Sequence, residues 1–276
     1  PESPIFPKDA SDRNRTSPFA FTGNKFEFRM LGSQFNVADA NIVLNTIIAD
    51  AFSEFADKLE GVKDIEGAAR KLITETIKAH KRIIFNLDGY GPAWEPEAER
   101  RGLLNNKNTA DATDVFYEKK NIDVFVNQGV YTEAEAVARA NVRLENYIKI
   151  INIEALTMLK MAKQDIIPAV SDYVAELCSN VAAKKAISEN IPCETEKALI
   201  TRLSALNDGF AKEVAKLEGI LNGIDKEDVR PASKAMAHEV IPQMQAVRKI
   251  ADEMETLTSE DYWPYPSYTE ILYSVK

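Results

Sequence analysis

The chain has 276 residues, 45% hydrophobic and 28% charged, with a formal net charge of −9 and a sequence pI near 5.0. That balance fits one large globular domain or two modest ones, and its acidic surface argues against non-specific binding to nucleic acid or anionic membrane. No apolar run approaches the roughly 20 residues that span a bilayer. Cys178 and Cys193 have neither CxxC nor zinc-site spacing, so a reduced, cytoplasmic setting is expected. The opening Pro1-Glu2-Ser3-Pro4 has no signal-peptide pattern and no Met, which is consistent with a start inside a longer polypeptide.

Residues 1–18 are proline-rich and polar and read as extended loop. After a Gly23-Asn24 turn, Lys25-Phe26-Glu27-Phe28-Arg29-Met30 alternates charged and apolar residues with the period of a half-buried strand. Phe26, Phe28 and Met30 are expected to face a core. From Asn41 to Leu59 the spacing becomes helical: Ile42, Leu44, Ile47, Ile48, Ala51, Phe52 and Phe55 form a broad stripe. Asp39 is the expected N-cap of that helix and Gly61 its stop. Residues 66–79 predict a second helix, closed by the positive His80-Lys81-Arg82. Ile83-Ile84-Phe85 reads as a short strand or a loop tucked into a core.

From Trp94 onward the pattern is helical with short breaks. Thr132-Glu133-Ala134-Glu135 matches a capping box opening a long helix toward Pro168. A second long helix is expected from Glu194 to about Leu221, stopped by Asn222-Gly223, and a third from about Lys226 to Leu257. Pro168 and Pro242 fall inside helical patterns, each after a pair of isoleucines or Val-Ile-type residues, and predict a kink or a break. The aromatic Tyr262-Trp263-Pro264-Tyr265-Pro266 cannot be a helix interior and is expected to dock on the folded body. The fold class that follows is mainly α: a bundle of long, kinked antiparallel helices with a short N-terminal β segment.

Four cations, Arg13, Arg15, Lys25 and Arg29, fall within seventeen residues of an acidic chain. Arginine binds phosphate and carboxylate through a planar fork of donors. Glu27, between Lys25 and Arg29, is expected to stay ionised, as a magnesium ligand must. The plainer reading is a solvated strand face with internal ion pairs. His238-Glu239 starts like a zinc-protease motif, but no second histidine follows, and Gly89-Tyr90-Gly91 is too short for a nucleotide loop.

The stretch from Arg13 to Met30, R-N-R-T-S-P-F-A-F-T-G-N-K-F-E-F-R-M, resembles the R-N-R-S…R-I-E-x-R-F segment of glutamine synthetases in its type III form. Further segments agree in the same order: 80–86 through Tyr90, Asn146-Tyr147 with 152–158, 165–170, and 251–255 with Tyr262-Trp263-Pro264. The similarity weakens between about Ser179 and Lys234. This resemblance implies the end of a catalytic domain in residues 1–90 and a helical extension with an aromatic tail in 91–276. It implies ATP-dependent ligation of ammonia to glutamate through γ-glutamyl phosphate, with Mg2+ or Mn2+, in a homo-oligomer that is a dodecamer in the family. No nucleic-acid or membrane partner is implied.

Position by position, Arg15 matches the arginine on the transferred phosphate and Arg29 the one that helps hold glutamate and phosphate. Glu27 matches a metal-ligand glutamate, and Lys25 stands where other branches carry an arginine near the nucleotide phosphates. A further family arginine falls on Ala20, and the proline of an N-P-Y segment on Ile42. The family's remaining metal ligands match nothing here, so the chain by itself is expected to be inactive, with no tightly bound cofactor. The alternative is a stand-alone helical interaction or oligomerisation module, and a weaker rival is a separate phosphate-binding protein built on the Arg15 cluster.

Overall fold

The structure, a computed structural model, describes residues 19–21, 25–30, 32, 35–85 and 88–273. A two-stranded antiparallel hairpin, β1 (Phe19–Phe21) and β2 (Phe26–Phe28), precedes α1 (Ala38–Leu59), α2 (Ile65–His80) and α3 (Trp94–Arg100). Two short helices follow, α4 (Thr109–Thr113) and α5 (Lys119–Asn127). Then come α6 (Glu133–Met161), α7 (Ile167–Ile187), α8 (Glu194–Gly223), α9 (Val229–Ala235), α10 (Ile241–Leu257) and a short α11 (Tyr268–Tyr273). The mainly helical class with a short N-terminal β segment is therefore observed. Contacts group the chain into two compact units, one of residues 1–107 and 115–137, the other of 108–114 and 138–276.

In the first unit α1 packs on α2 and α5, and Gln128 Nε2 donates to Asp50 Oδ1 at 3.0 Å. Two expectations at α1 need correcting. The helix starts at Ala38, so Asp39 lies in the first turn; the Asn36 side chain instead accepts from the Ala38 N–H at 2.8 Å. The stripe of α1 is only partly covered: Ile47, Ile48 and Phe52 remain exposed. Gly61 does end the segment, with a φ of 72° that a side chain would resist. Asp64 caps α2 by accepting from Gly67 N at 3.0 Å.

Ile83 ends a 3-10 turn (Lys81–Ile83), and both Ile83 and Ile84 are exposed, so this run is neither a strand nor tucked away. Its fixed point is a pair of arginines. Arg82 donates to the Arg101 carbonyl at 2.8 Å, and Arg101 donates to the Ile84 carbonyl at 2.7 Å while lying over the Phe85 ring. Phe85 meets Trp94 with ring centroids 4.3 Å apart. The polar ends of backbone and guanidinium satisfy each other, which a solvent-facing loop otherwise leaves to water.

The capping box at the start of α6 forms as expected: Thr132 N donates to Glu135 Oε2 at 2.8 Å, and Glu135 N to Thr132 Oγ1 at 3.3 Å.

The second unit is organised around α8. Its buried residues Leu203, Leu206, Phe210, Val214, Leu217 and Leu221 recur at steps of three and four, which places them along one side of the helix. Helix α7 packs on α8, and so does α10. Both neighbours run antiparallel to it. Lys184 at the end of α7 pairs with Glu196 at the start of α8, whereas Ser171 near the start of α7 meets Asn207 further on. On the α10 side Glu253 pairs with Arg202, while Gln243 donates to Glu213. Buried Ile148, Ala155 and Leu159 of α6, Val170 and Leu177 of α7, and Val247 and Met254 of α10 complete this core.

Pro168 and Pro242 do not break their helices. Each is the second residue of its helix, α7 or α10, and each is preceded by a π-helical turn, Ala162–Ile166 and Met236–Val240. The last N–H before each proline reaches back five residues, Ile167 to the Ala162 carbonyl and Ile241 to the Met236 carbonyl. Proline lacks the next N–H, and its ring collides with the carbonyl four residues back. A wider turn makes room for the ring while the chain stays helical.

Each wide turn also carries a polar side chain that fastens another segment. Asp165 accepts from the Tyr265 hydroxyl at 3.0 Å, and His238 Nε2 lies 3.1 Å from Asp111 Oδ1. The aromatic tail thus docks as expected, with Tyr262 also donating to Glu176 at 2.6 Å. Burial and the Asp165 carboxylate push the Tyr265 hydroxyl up to about 12. Asp111 is further held by Lys234 at 2.7 Å, and Lys234 also reaches Asp114 at 2.6 Å. The bonds from Lys234 and then His238 lower the Asp111 carboxyl to about 2.

Three outcomes follow from this packing. Leu217→Ala should lose about 2–5 kcal/mol of stability in urea unfolding, whereas Ile187→Ala, at an exposed site, should change it by less than about 0.5 kcal/mol. Tyr265→Phe should lose about 1.5–3 kcal/mol, the range for a hydrogen bond to a charged group. A depressed carboxyl stabilises the fold above its unfolded value, and that contribution disappears as pH falls through the folded value. Asp111→Asn should therefore lower the urea midpoint at pH 7 and flatten its decline between about pH 4 and about pH 2.

Candidate functional site

The hairpin register pairs Phe19 with Phe28, Ala20 with Glu27 and Phe21 with Phe26. Alternation along β2 puts Lys25, Glu27 and Arg29 on one side and Phe26 and Phe28 on the other. The charged residues are in contact. Arg29 Nη2 lies 2.9 Å from Glu27 Oε2, and its Nε donates to the same oxygen at 3.3 Å. Lys25 Nζ approaches the other oxygen, Oε1, at 3.7 Å. The side chains of Glu27 and Arg29 are mostly covered, at 23% and 20% exposure, whereas Lys25 is 65% exposed.

Ala20 is buried and stands directly opposite Glu27. Directly opposed residues share a sheet face. An arginine at position 20 would therefore lie beside the Glu27 carboxylate, where this chain presents only a methyl group. The guanidinium next to Glu27 comes from Arg29, two residues along the same strand. This relation was hidden in the sequence because alternation along one strand does not say which residue of the neighbouring strand stands opposite. Arg13 and Arg15 also lie outside the described residues, so the structure brings together three of the charged positions singled out above.

The opposite face corrects an expectation. Phe26, Phe28 and Met30 do not face a core: they are 60%, 41% and 61% exposed. Phe26 stacks on Phe19 with ring centroids 5.0 Å apart. A shallow cavity of about 340 Å³ opens where Phe28 and Met30 meet Phe35 and the start of α1.

Divalent metal chemistry needs several oxygen ligands around one ion. Glu27 supplies one carboxylate, and no group of three His, Cys, Asp or Glu that could hold a metal exists among the described residues. The hairpin fits a single ligand of a site completed by other groups. His238 belongs to the Asp111 cluster and not to a zinc motif.

The family model "Glutamine synthetase C-terminal domain" matches residues 68–185. A glutamine synthetase of Butyrivibrio fibrisolvens is 34% identical over 98% of this chain, and a type-3 glutamine synthetase of Dictyostelium discoideum is 33% identical over 98% of it. A glutamine synthetase of Bacteroides fragilis (strain YCH46) is 33% identical over 96% of the chain. The chain spans 39%, 38% and 38% of the length of these relatives. The match to the C-terminal domain model, together with alignment of nearly the whole chain to these relatives, leads to one conclusion: the chain belongs to the glutamine synthetase family and corresponds to its C-terminal region.

Proposed function

We propose that this chain serves as the C-terminal part of a glutamate–ammonia ligase and contributes one edge of its active site. The reading rests on the shared face of β2, where Lys25, Glu27 and Arg29 stand together. In the reaction, ATP phosphorylates the glutamate side-chain carboxylate and ammonia then displaces phosphate. Negative charge spreads over the transferred group, and fixed cations aimed at it stabilise the transition state. Arg29 and Arg15 supply forked donors for the phosphoryl group and for glutamate, and Lys25 a point charge near the nucleotide phosphates. Glu27 would be one ligand of a Mg2+ or Mn2+ ion, which would supply positive charge against the negative charge that develops on the phosphoryl group. The Arg29–Glu27 contact holds both groups in place before substrates arrive.

The uncovered aromatic side of the hairpin supports the same reading. Phe26, Phe28 and Met30, and separately Ile47, Ile48 and Phe52 of α1, are exposed apolar side chains on the first unit. Such surfaces mark sites where another body packs. We assign residues 1–90 to the end of the catalytic domain and 91–276 to the helical extension, in a cytoplasmic homo-oligomer, dodecameric as the resemblance implies. No nucleic-acid or membrane partner is part of this proposal. Among the described residues no helix is long and apolar enough to cross a bilayer.

The internal pairing of Glu27 with Arg29 favours a second reading, in which the strand face is structural and the chain is a helical interaction or oligomerisation module. Glutamine formation from glutamate, ammonia and ATP, assayed with this chain in its native polypeptide, separates the two. Glu27→Gln should lower kcat by about 100-fold or more, the scale of losing a group that acts on transition-state charge, and raise the Mg2+ concentration needed for half-activity. Arg29→Lys keeps the charge without the fork and should raise KM for glutamate. The 276-residue chain assayed alone should form no glutamine. Unchanged activity in both variants would establish the module reading.

A further inference from the structure

The second unit contains a cleft of about 510 Å³ that none of the residues above uses. Its floor is apolar and buried: Phe210 of α8, Val247 of α10 and Ala162 of the first π turn are each about 1% exposed. Three thioethers, Met158, Met161 and Met244, line its walls, and Trp263 of the tail closes one side. Around the opening stand Glu154 of α6 and Arg248, Asp252 and Glu255 of α10.

Volume and lining match small-molecule sites, which run to a few hundred Å³ with apolar walls and few polar groups. Methionines adapt their shape to an occupant, and sulfur packs well against aromatic rings. The wall formed by the tail is fastened on both sides of Trp263, by Tyr262 to Glu176 and by Tyr265 to Asp165. The cleft is thus built from distant segments and braced.

The rim decides which ligand fits. Its lining includes three carboxylates and one guanidinium, and that guanidinium is already engaged, with Arg248 Nε 3.5 Å from Asp252 Oδ2. Glu154 and Glu255 have no ion-pair partner among the described residues. An occupant that covers the rim removes water from these carboxylates. A neutral or anionic occupant would leave them uncompensated, which is costly. A cation offsets that loss, and the face of the Trp263 indole adds a further attraction for it.

We propose that this cleft binds a small organic cation: an ammonium or guanidinium group on a compact apolar or aromatic body. The body fills the space between the methionines and Phe210, and the charge lies among Glu154, Glu255 and Trp263. The site lies wholly within the second unit and does not depend on the assignment of the hairpin.

The six methionines provide the test. Met158, Met161 and Met244 line the cleft, whereas Met30, Met236 and Met254 do not. With 13C-methyl methionine in the full chain, 2-phenylethylammonium chloride is titrated while the methyl resonances are followed. Saturable shifts confined to the three cleft methyls are expected. The 3-phenylpropionate anion and neutral 2-phenylethanol, at equal ionic strength, should shift them at least tenfold more weakly. The double variant Glu154→Gln/Glu255→Gln should weaken ammonium binding by about tenfold or more. Ala251→Phe, which fills the cleft, should abolish it with helicity unchanged by circular dichroism. Absence of saturable shifts, equal response to all three probes, or all six methyls moving together would overturn the proposal. If Ala251→Phe does not fold, the probe comparison and the rim variant decide alone.

Discussion

The second unit depends on one requirement: the apolar strip of α8 must be covered along its whole length. Leu203 to Leu221 covers about five turns at 3.6 residues per turn, and a single neighbour cannot enclose such a strip from two sides. Helices α7 and α10 do so together, each antiparallel to α8. The ion pairs along both seams, Lys184–Glu196 and Arg202–Glu253, lie at the solvent edge and set register more than they add stability. The stabilising weight lies in the buried leucines, Phe210, Val247 and Met254.

The same requirement explains why the prolines are tolerated. A break at Pro168 or Pro242 would uncover α8 where Val170 or Val240 packs. The π turns keep each helix continuous past its proline and pack against α8 themselves. They also carry Asp165 and His238, and those two side chains hold the tail and the Asn108–Asp114 segment. The first unit has no comparable spine. Among the described residues Thr46 is the buried residue of α1, and α2 has none.

How much was legible in the sequence follows from this difference. Helix periodicity, the Thr132–Glu135 capping box and the Asn222-Gly223 stop report local physics, and the structure matches them. The aromatic tail was legible because exposing it would be unfavourable. The failures occurred where local pattern was taken for a tertiary fact. Phe26, Phe28 and Met30 have the alternation of a half-buried strand, but alternation fixes only which residues share a face, and the apolar face here is uncovered. Asp39 looked like a cap, yet Asn36 provides the acceptor three residues earlier. A proline inside a helical pattern announces strain without saying whether the chain bends, breaks or widens. At the charged strand, sequence placed Lys25, Glu27 and Arg29 on one side; the register that sets Ala20 against Glu27 needed the hairpin itself.

A π turn is an α-helix carrying one surplus residue. Between Ala162 and Ile166, and again between Met236 and Val240, that surplus is stored without disturbing the pattern that faces α8. Each site is therefore a place where chain length and helical phase are uncoupled. Removing one residue there would return the turn to ordinary α geometry, in which four residues turn the chain about as far as the five of the wide turn, and leave the helix beyond it in nearly the same phase. Val170 and Leu177, or Val247 and Met254, would still face α8. The prolines that follow oppose that loss, since their rings need the wider turn. Insertions and deletions along these helices are thus constrained unequally: a one-residue loss elsewhere in α7 or α10 would rotate the residues beyond it by about 100°, whereas the same loss at a wide turn would not.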